Sequence, residues 1–112
     1  MNNNIEEVSN TNIMEIFGGG IPLFPDTEEK LLKIKEIVNS ENQKIFVYKM
    51  DDKYIGFIHI SIGNDYKEIN GPVGYLEGLF AHWDYNEKDI KKELLNKGEE
   101  WVKKMGCTNF LT

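Results

Sequence analysis

Val73-Gly74-Tyr75-Leu76-Glu77-Gly78-Leu79-Phe80, then a short connection with Trp83 and Tyr85, then Asn86 onward to Gly106: this stretch decides the fold. Its first part is rich in β-branched, aromatic and aliphatic side chains and predicts a strand over 73–80. Asn86 can cap a helix together with Asp89 three positions on, and Gly106 offers a stop. Between them Ile90, Leu94, Trp101 and Met105 recur at helical spacing and are expected to form the buried stripe. Phe110-Leu111 then opens another strand. A strand at 73–80, a crossover helix at 87–105 and a strand at 108–112 predict a right-handed parallel unit.

Upstream, Ile45-Phe46-Val47-Tyr48 and residues 54–62 are β-branched and aromatic, and Asp51-Asp52-Lys53 between them suits a tight connection. A hairpin is predicted there. Before it, Pro25 precedes an Asp26/Glu29 capping pattern, and Leu31, Ile34 and Val38 share one helical face, which predicts an amphipathic helix over 27–39. Residues 5–8 are read as a short first strand and 10–17 as a weak helix that stops at Gly18, Gly19 and Gly20. The order is therefore β-α-α-β-β-β-α-β. It defines an α+β class: a mixed, mostly antiparallel sheet flanked by helices, in a single domain over 1–112.

Composition narrows the function. The chain has 112 residues, 40% hydrophobic and 29% charged, enough apolar surface for one core and too few residues for two. Its formal charge is −6 with lysines scattered among acids, so no basic stripe exists for a phosphate backbone and nucleic acid is not an expected partner. Cys107 is the single cysteine, and with His59 and His82 it matches no recognised metal spacing, so neither a disulfide nor a metal is expected. No apolar run approaches a membrane span and the first residues are polar, which gives a cytoplasmic expectation without membrane association.

The order of elements, together with Tyr54-Ile55-Gly56-Phe57, Asp65-Tyr66, the 72–78 stretch Pro-Val-Gly-Tyr-Leu-Glu-Gly, and Gly98-Glu99-Glu100-Trp101 to Met105-Gly106-Cys107, resembles the GNAT acetyltransferase superfamily. Within it, the likeness is closest to aminoglycoside 6'-N-acetyltransferases. The resemblance implies the acyl-CoA N-acyltransferase fold, acetyl-CoA as cofactor and a cationic amine or aminoglycoside as substrate. It implies direct attack of a primary amine on the thioester, chemistry that needs a proton acceptor, donors for the carbonyl oxygen and a grip on the cofactor. By the same likeness Glu77 is the carboxylate facing the substrate amine and the catalytic candidate. On its own, a strand Glu reads as a solvated or ion-paired residue. Leu79, Phe80 and Ala81 inherit backbone contacts to the pantetheine arm. Asp65 and Tyr66 inherit a place near the acceptor, although a loop Asp is otherwise a turn former. His59 reads as a packed or hydrogen-bonded residue of its strand, and Trp101 as core.

Three departures from the family pattern stand out. The family carries Arg/Gln-x-x-Gly-x-Gly/Ala at the start of the helix after the Glu strand, where small residues let backbone N–H groups meet the pyrophosphate. Here the cofactor-binding positions read Asn86-Glu87-Lys88-Asp89-Ile90-Lys91. Asn86, Asp89 and Lys91 replace the three markers, Glu87 and Asp89 bring negative charge, and Lys88 and Lys91 offset part of it. The family also continues with a helix and two strands, so the chain is read as a partial fold lacking them, and the exposed sheet edge predicts a homodimer. Glycines 18–20 stand where relatives carry acceptor-binding aromatics. The expectation is an aminoglycoside-type acetyltransferase chain with impaired or lost activity; the alternative is a non-catalytic, self-associating binding domain on the same fold.

Overall fold

In the computed structural model, the described residues are 4–17, 28–64 and 71–112. Five strands form one sheet whose spatial order equals chain order: β1 (Ile5–Glu7), β2 (Gln43–Met50), β3 (Lys53–Gly63), β4 (Val73–Ala81) and β5 (Asn109–Leu111). The first four run antiparallel; β4 and β5 pair in parallel through Val73–Asn109, Gly74–Phe110 and Tyr75–Leu111. Helices α1 (Ile13–Phe17) and α2 (Glu28–Val38) precede β2, and α3 (Glu87–Lys104) makes the crossover. The α+β class and the mixed, mostly antiparallel sheet stand as read from the sequence.

The β2–β3 connection consists of Asp51 and Asp52 alone, at φ of 53° and 62°. Two successive left-handed residues give the turn whose twist matches that of the flanking strands. Aspartate tolerates that region because its short polar side chain bonds locally.

The sheet buries both faces. On one, α3 packs Ile90, Leu94 and Val102 against Phe46, Ile58 and Ile60, all buried. On the other, α1 and α2 bring Ile13, Ile16 and Ile34 to Val8, Ile45, Val47 and Tyr54. Burying such an aliphatic side chain contributes about 1.5–3 kcal/mol, so the two layers supply most of the driving force.

The expected stripe of α3 needs correction. Its buried positions are Ile90, Leu94, Gly98 and Val102, whereas Met105 is 45% exposed and Trp101 only half-buried. Gly98 explains the difference: a Cβ there would lie 2.8 Å from Ile60 Cδ1 and 2.9 Å from Ile58 Cδ1. Gly74 does the same from the sheet, where a Cβ would stand 2.6 Å from Val102 Cγ1. The helix therefore rests on β3 and β4 through missing side chains, and Trp101 is turned to the flank, with Lys44 Nζ 5.9 Å above its ring. The helix ends as anticipated, with Gly106 at φ 91° after Met105. Cys107 follows, buried against the α3 layer, its N–H bonded to the Val102 carbonyl at 2.9 Å.

Candidate active site

The register between β3 and β4 breaks at one place. His59 faces Gly78 and Ile60 faces Leu76, which leaves Glu77 as an extra residue on β4. A bulge bends the strand and re-aims the side chain it adds. Here it brings Glu77 to the β3 face that carries Ser61, whose hydroxyl donates to Glu77 Oε1 at 2.6 Å. The carboxylate is solvent-exposed, so it is fixed by that bond while remaining open to a ligand. His59 stands on the same face, with its Nε2 donating to Gln43 Oε1 at 2.8 Å. Burial holds the His59 imidazole below its usual pKa, with the charge of Glu77 pulling the other way. A half-buried neutral imidazole engaged by an amide fits the reading of His59 as a packed, hydrogen-bonded residue.

Beyond Glu77 the apolar wall continues through Phe57 and Phe80, whose rings stack 6.4 Å apart at 28°. A small residue between them matters, since a Cβ on Gly78 would stand 3.2 Å from Phe57 Cε2. The site face thus combines one exposed carboxylate, two hydrogen-bonding neighbours and two stacked rings. Chemically such a set is suited to a cationic amine, with a carboxylate for the charge and ring faces for the carbon skeleton. Asp65 and Tyr66 lie outside the described residues.

The outer side of β4 from Leu76 to Ala81 has no strand beside it among the described residues, because β5 reaches only to Tyr75. Leu79 leans on the α3 layer and Ala81 is buried in it. Alternation along the strand turns the backbone groups of Leu79 and Ala81 to that edge, whereas Phe80, paired with Phe57 and in phase with the His82 N–H that bonds the Ile55 carbonyl at 2.8 Å, turns its own to β3. An extended chain of amide groups, such as a pantetheine arm, fits it.

The start of α3 does not fit a diphosphate in the same way. Asn86 Oδ1 accepts from the Asp89 N–H at 3.5 Å, Asn86 Nδ2 donates to Asp89 Oδ2 at 2.7 Å, and the Asn86 carbonyl takes the Ile90 N–H at 3.0 Å. The Asn86 and Asp89 side chains close on each other over the first turn. Within the first turn, the N–H groups of Glu87 and Lys88 have no partner among the described residues, and the turn itself carries two acids, Glu87 and Asp89. The positive end of the helix dipole is already met by its own acids. Ile90, read as a cofactor position, is 2% exposed and gives its side chain to the core. Lys88 and Lys91 do not reach over the capped turn to any carboxylate within ion-pair distance.

Sequence reasoning missed Ser61 as the partner of Glu77 and the bulge that unites them. The one available signal was the alternation His59, Ser61 along β3, which predicts a shared face; nothing in the sequence marks an inserted residue.

A five-stranded mixed sheet with a bulged Glu strand, a bare strand edge beyond it and a crossover helix aimed at that edge defines an acyl-CoA N-acyltransferase-type domain. The profile described as Acetyltransferase (GNAT) family matches residues 11–112, and the chain belongs to this family. It is 29% identical over 113 residues to an aminoglycoside N(6')-acetyltransferase type 1 of Acinetobacter genomosp. 13, covering 96% of this chain and 76% of that protein. A counterpart from Salmonella typhimurium is 31% identical over 90 residues, 77% of this chain and 60% of its own length. The solved structure of AAC(6')-Iy with the bisubstrate analog CoA-S-monomethyl-acetylneamine superimposes with a TM-score of 0.76 at 27% identity, over 95% of this chain and 75% of that one. No described helix is long and apolar enough to cross a membrane.

Proposed function

We propose that this chain is an aminoglycoside N(6')-acetyltransferase-type protein that keeps the amine-holding half of the site at Glu77 and has lost its strong hold on acetyl-CoA, so that its acetyltransferase activity is impaired. The likeness brings acetyl-CoA as cofactor and a cationic aminoglycoside as ligand. The observation that carries the reading is the closed Asn86–Asp89 cap at the start of α3, which puts a carboxylate where the family pattern has a small residue. Asp65 and Tyr66 complete the amine side in this reading, and Leu79 and Ala81 the pantetheine edge. The protein is read as cytoplasmic, without nucleic acid or membrane partners.

Calorimetry with acetyl-CoA, paired with an acetyl-transfer assay on kanamycin, tests it. The wild-type chain should bind acetyl-CoA no tighter than about 100 μM and turn over barely above background. Replacing Asn86→Arg together with Asp89→Gly should tighten binding at least about tenfold, equivalent to about 1.4 kcal/mol. Micromolar binding with turnover by the unmodified chain refutes the reading.

A second reading, the self-associating domain, is favoured by the outer edge of β5, which has no neighbouring strand among the described residues. An exposed edge of unpaired N–H and C=O groups is a template for pairing with another copy. Sedimentation at micromolar concentration should then show a dimer; a monomer removes this reading.

A further inference from the structure

Directly opposite residues of paired strands share a face of the sheet. His59 lies opposite Ile45 and Ser61 opposite Gln43, so His59, Ser61 and Gln43 stand together on the face to which α1 and α2 bring Ile13, Ile16 and Ile34. The bulge adds Glu77 to the same face, where Ser61 engages its Oε1. Imidazole and carboxylate are close enough that the charge of Glu77 acts on the His59 ring.

The bond to Gln43 decides the state of the ring. Gln43 Oε1 can only accept, so His59 Nε2, 2.8 Å away, carries the hydrogen, and in a neutral imidazole the other nitrogen, Nδ1, is then a bare lone pair. Burial favours that neutral form. No described residue donates to Nδ1. A half-buried acceptor without a protein partner is satisfied from solution. Few charged or titratable groups surround it. From β4 come Glu77 and, opposite Ser61, Tyr75; β2 offers the neutral Gln43; α1 and α2 meet this face through aliphatic side chains.

We infer that His59 is a second ligand-binding residue of the site, its Nδ1 accepting one N–H of a primary ammonium whose charge is met by Glu77. This rests on the amine-binding reading of Glu77 given above, and it narrows the ligand to an amine that keeps at least two N–H donors. Glu77 has one oxygen committed to Ser61, which leaves N–H groups of a three-donor ammonium over for an acceptor beside it. A neutral imidazole supplies that acceptor without adding a charge. Proton linkage follows. Near neutral pH the ring is neutral and accepts; as pH falls through its folded pKa, which lies below the usual value, Nδ1 gains a proton, repels the ammonium and competes with it for Glu77. Affinity is present above that pKa and lost below it, and ammonium binding in the lower range expels one proton from the ring.

The test is a titration of the 112-residue chain, nitrogen-labelled in its two histidines and followed by NMR, with methyl 6-amino-6-deoxyglucoside. The single primary ammonium of this sugar stays charged between about pH 5 and about pH 7.5, so only the protein titrates there. In the free chain the ring signals should report Nε2–H and a bare Nδ1 for His59. Saturation, reached by about 10 mM, should move His59 Nδ1 and leave His82 unmoved. At pH 7.5, Glu77→Gln should weaken the sugar at least about tenfold. His59→Gln, whose amide reaches only the place of Nε2, should weaken it at least about threefold, whereas His59→Asn, whose Oδ1 takes the place of Nδ1, should stay within about twofold of wild type. Between pH 7.5 and pH 5 the wild type should lose at least about threefold more affinity than His59→Asn. An Nδ1–H tautomer, an Nδ1 signal unmoved at saturation, undiminished affinity in His59→Gln, or parallel pH dependence of wild type and His59→Asn each overturn the inference. Any of these with Glu77→Gln still weakening the sugar leaves the amine-binding reading standing; no binding by wild type, or binding indifferent to Glu77→Gln, removes both. Affinity for acetyl-CoA, on which the impaired activity turns, does not enter.

Discussion

Ser61 holds Glu77 from the neighbouring strand: its hydroxyl donates to Oε1 at 2.6 Å across a bulge that would otherwise leave the carboxylate free to rotate. The pair fixes one oxygen and presents the other. Binding of an aminoglycoside should thus depend on both residues, unequally. Glu77→Gln removes the charge and should weaken kanamycin at least about tenfold, whereas Ser61→Ala frees the carboxylate and should cost about two- to fivefold, a few tenths to about 1 kcal/mol. Calorimetry on the two variants checks the ranking. Equal affinity of Glu77→Gln and wild type would remove the carboxylate from the site.

The two-aspartate turn between β2 and β3 carries strain that glycine would not. Both residues have positive φ, and the preferred pair for this turn is Asn-Gly. Asp52→Gly should therefore stabilise the chain by about 0.5–1 kcal/mol, observed as a rise of a few degrees in Tm. A fall in Tm would mean that the Asp52 side chain contributes more than its backbone costs.

Gly56 tests the closeness of β3 and β4. A Cβ there would meet the Phe80 carbonyl oxygen at 2.8 Å, an atom of the backbone that cannot turn away. Gly56→Ala should destabilise by about 1–3 kcal/mol and disturb the edge of β4 at Phe80. Chemical denaturation measures the loss; an unchanged midpoint would show that the strands can part at no cost.

His59 links stability to mild acid. Its folded pKa lies below the usual value because burial disfavours the charged ring, so the folded state binds that proton less readily than the unfolded chain. The contribution is present above about pH 6.5 and is lost as pH falls from there through the folded pKa, at no more than about 1.4 kcal/mol per unit. Comparing wild type with His59→Gln between pH 7.5 and pH 5 should show a flatter profile in the variant. Parallel profiles would contradict it.

Tyr54 acts at the other end of the scale. Its hydroxyl donates to Glu6 Oε2 at 3.2 Å, and burial first, then the charges of Glu6 and Glu15, push its pKa up to about 12. A raised folded pKa stabilises below the unfolded value of about 10 and loses that stabilisation as pH climbs from about 10 to about 12. Tyr54→Phe should abolish this part of the alkaline transition, followed by phenolate absorbance and far-ultraviolet circular dichroism.

The elements were legible where local chemistry and tertiary packing agree. Ile45 to Tyr48 and residues 54–62 announce strands through β-branched and aromatic side chains, and Asn86, Asp89 and Gly106 mark the ends of α3 through capping groups that the structure retains. The buried stripe of α3 differs from its reading because the spacing of apolar side chains does not register a glycine that packs. Trp101 and Met105 are large, but the contact with Ile58 and Ile60 is made by Gly98, whose value lies in having no side chain. In the candidate site, legibility differs between the two residues of the Glu77–Ser61 pair. Glu77 stood out through family likeness, whereas Ser61 needed the cross-strand register and a bulge, which no single-chain pattern encodes.

The buried Cys107 turns the chain into its own gauge of local opening. As the sole thiol, 6% exposed and with burial pushing its pKa up, it has neither the access nor the thiolate that a disulfide reagent requires while α3 and β5 stay docked. Labelling kinetics at this one sulfur therefore count how often the carboxy-terminal unit lifts from the sheet, without any engineered probe.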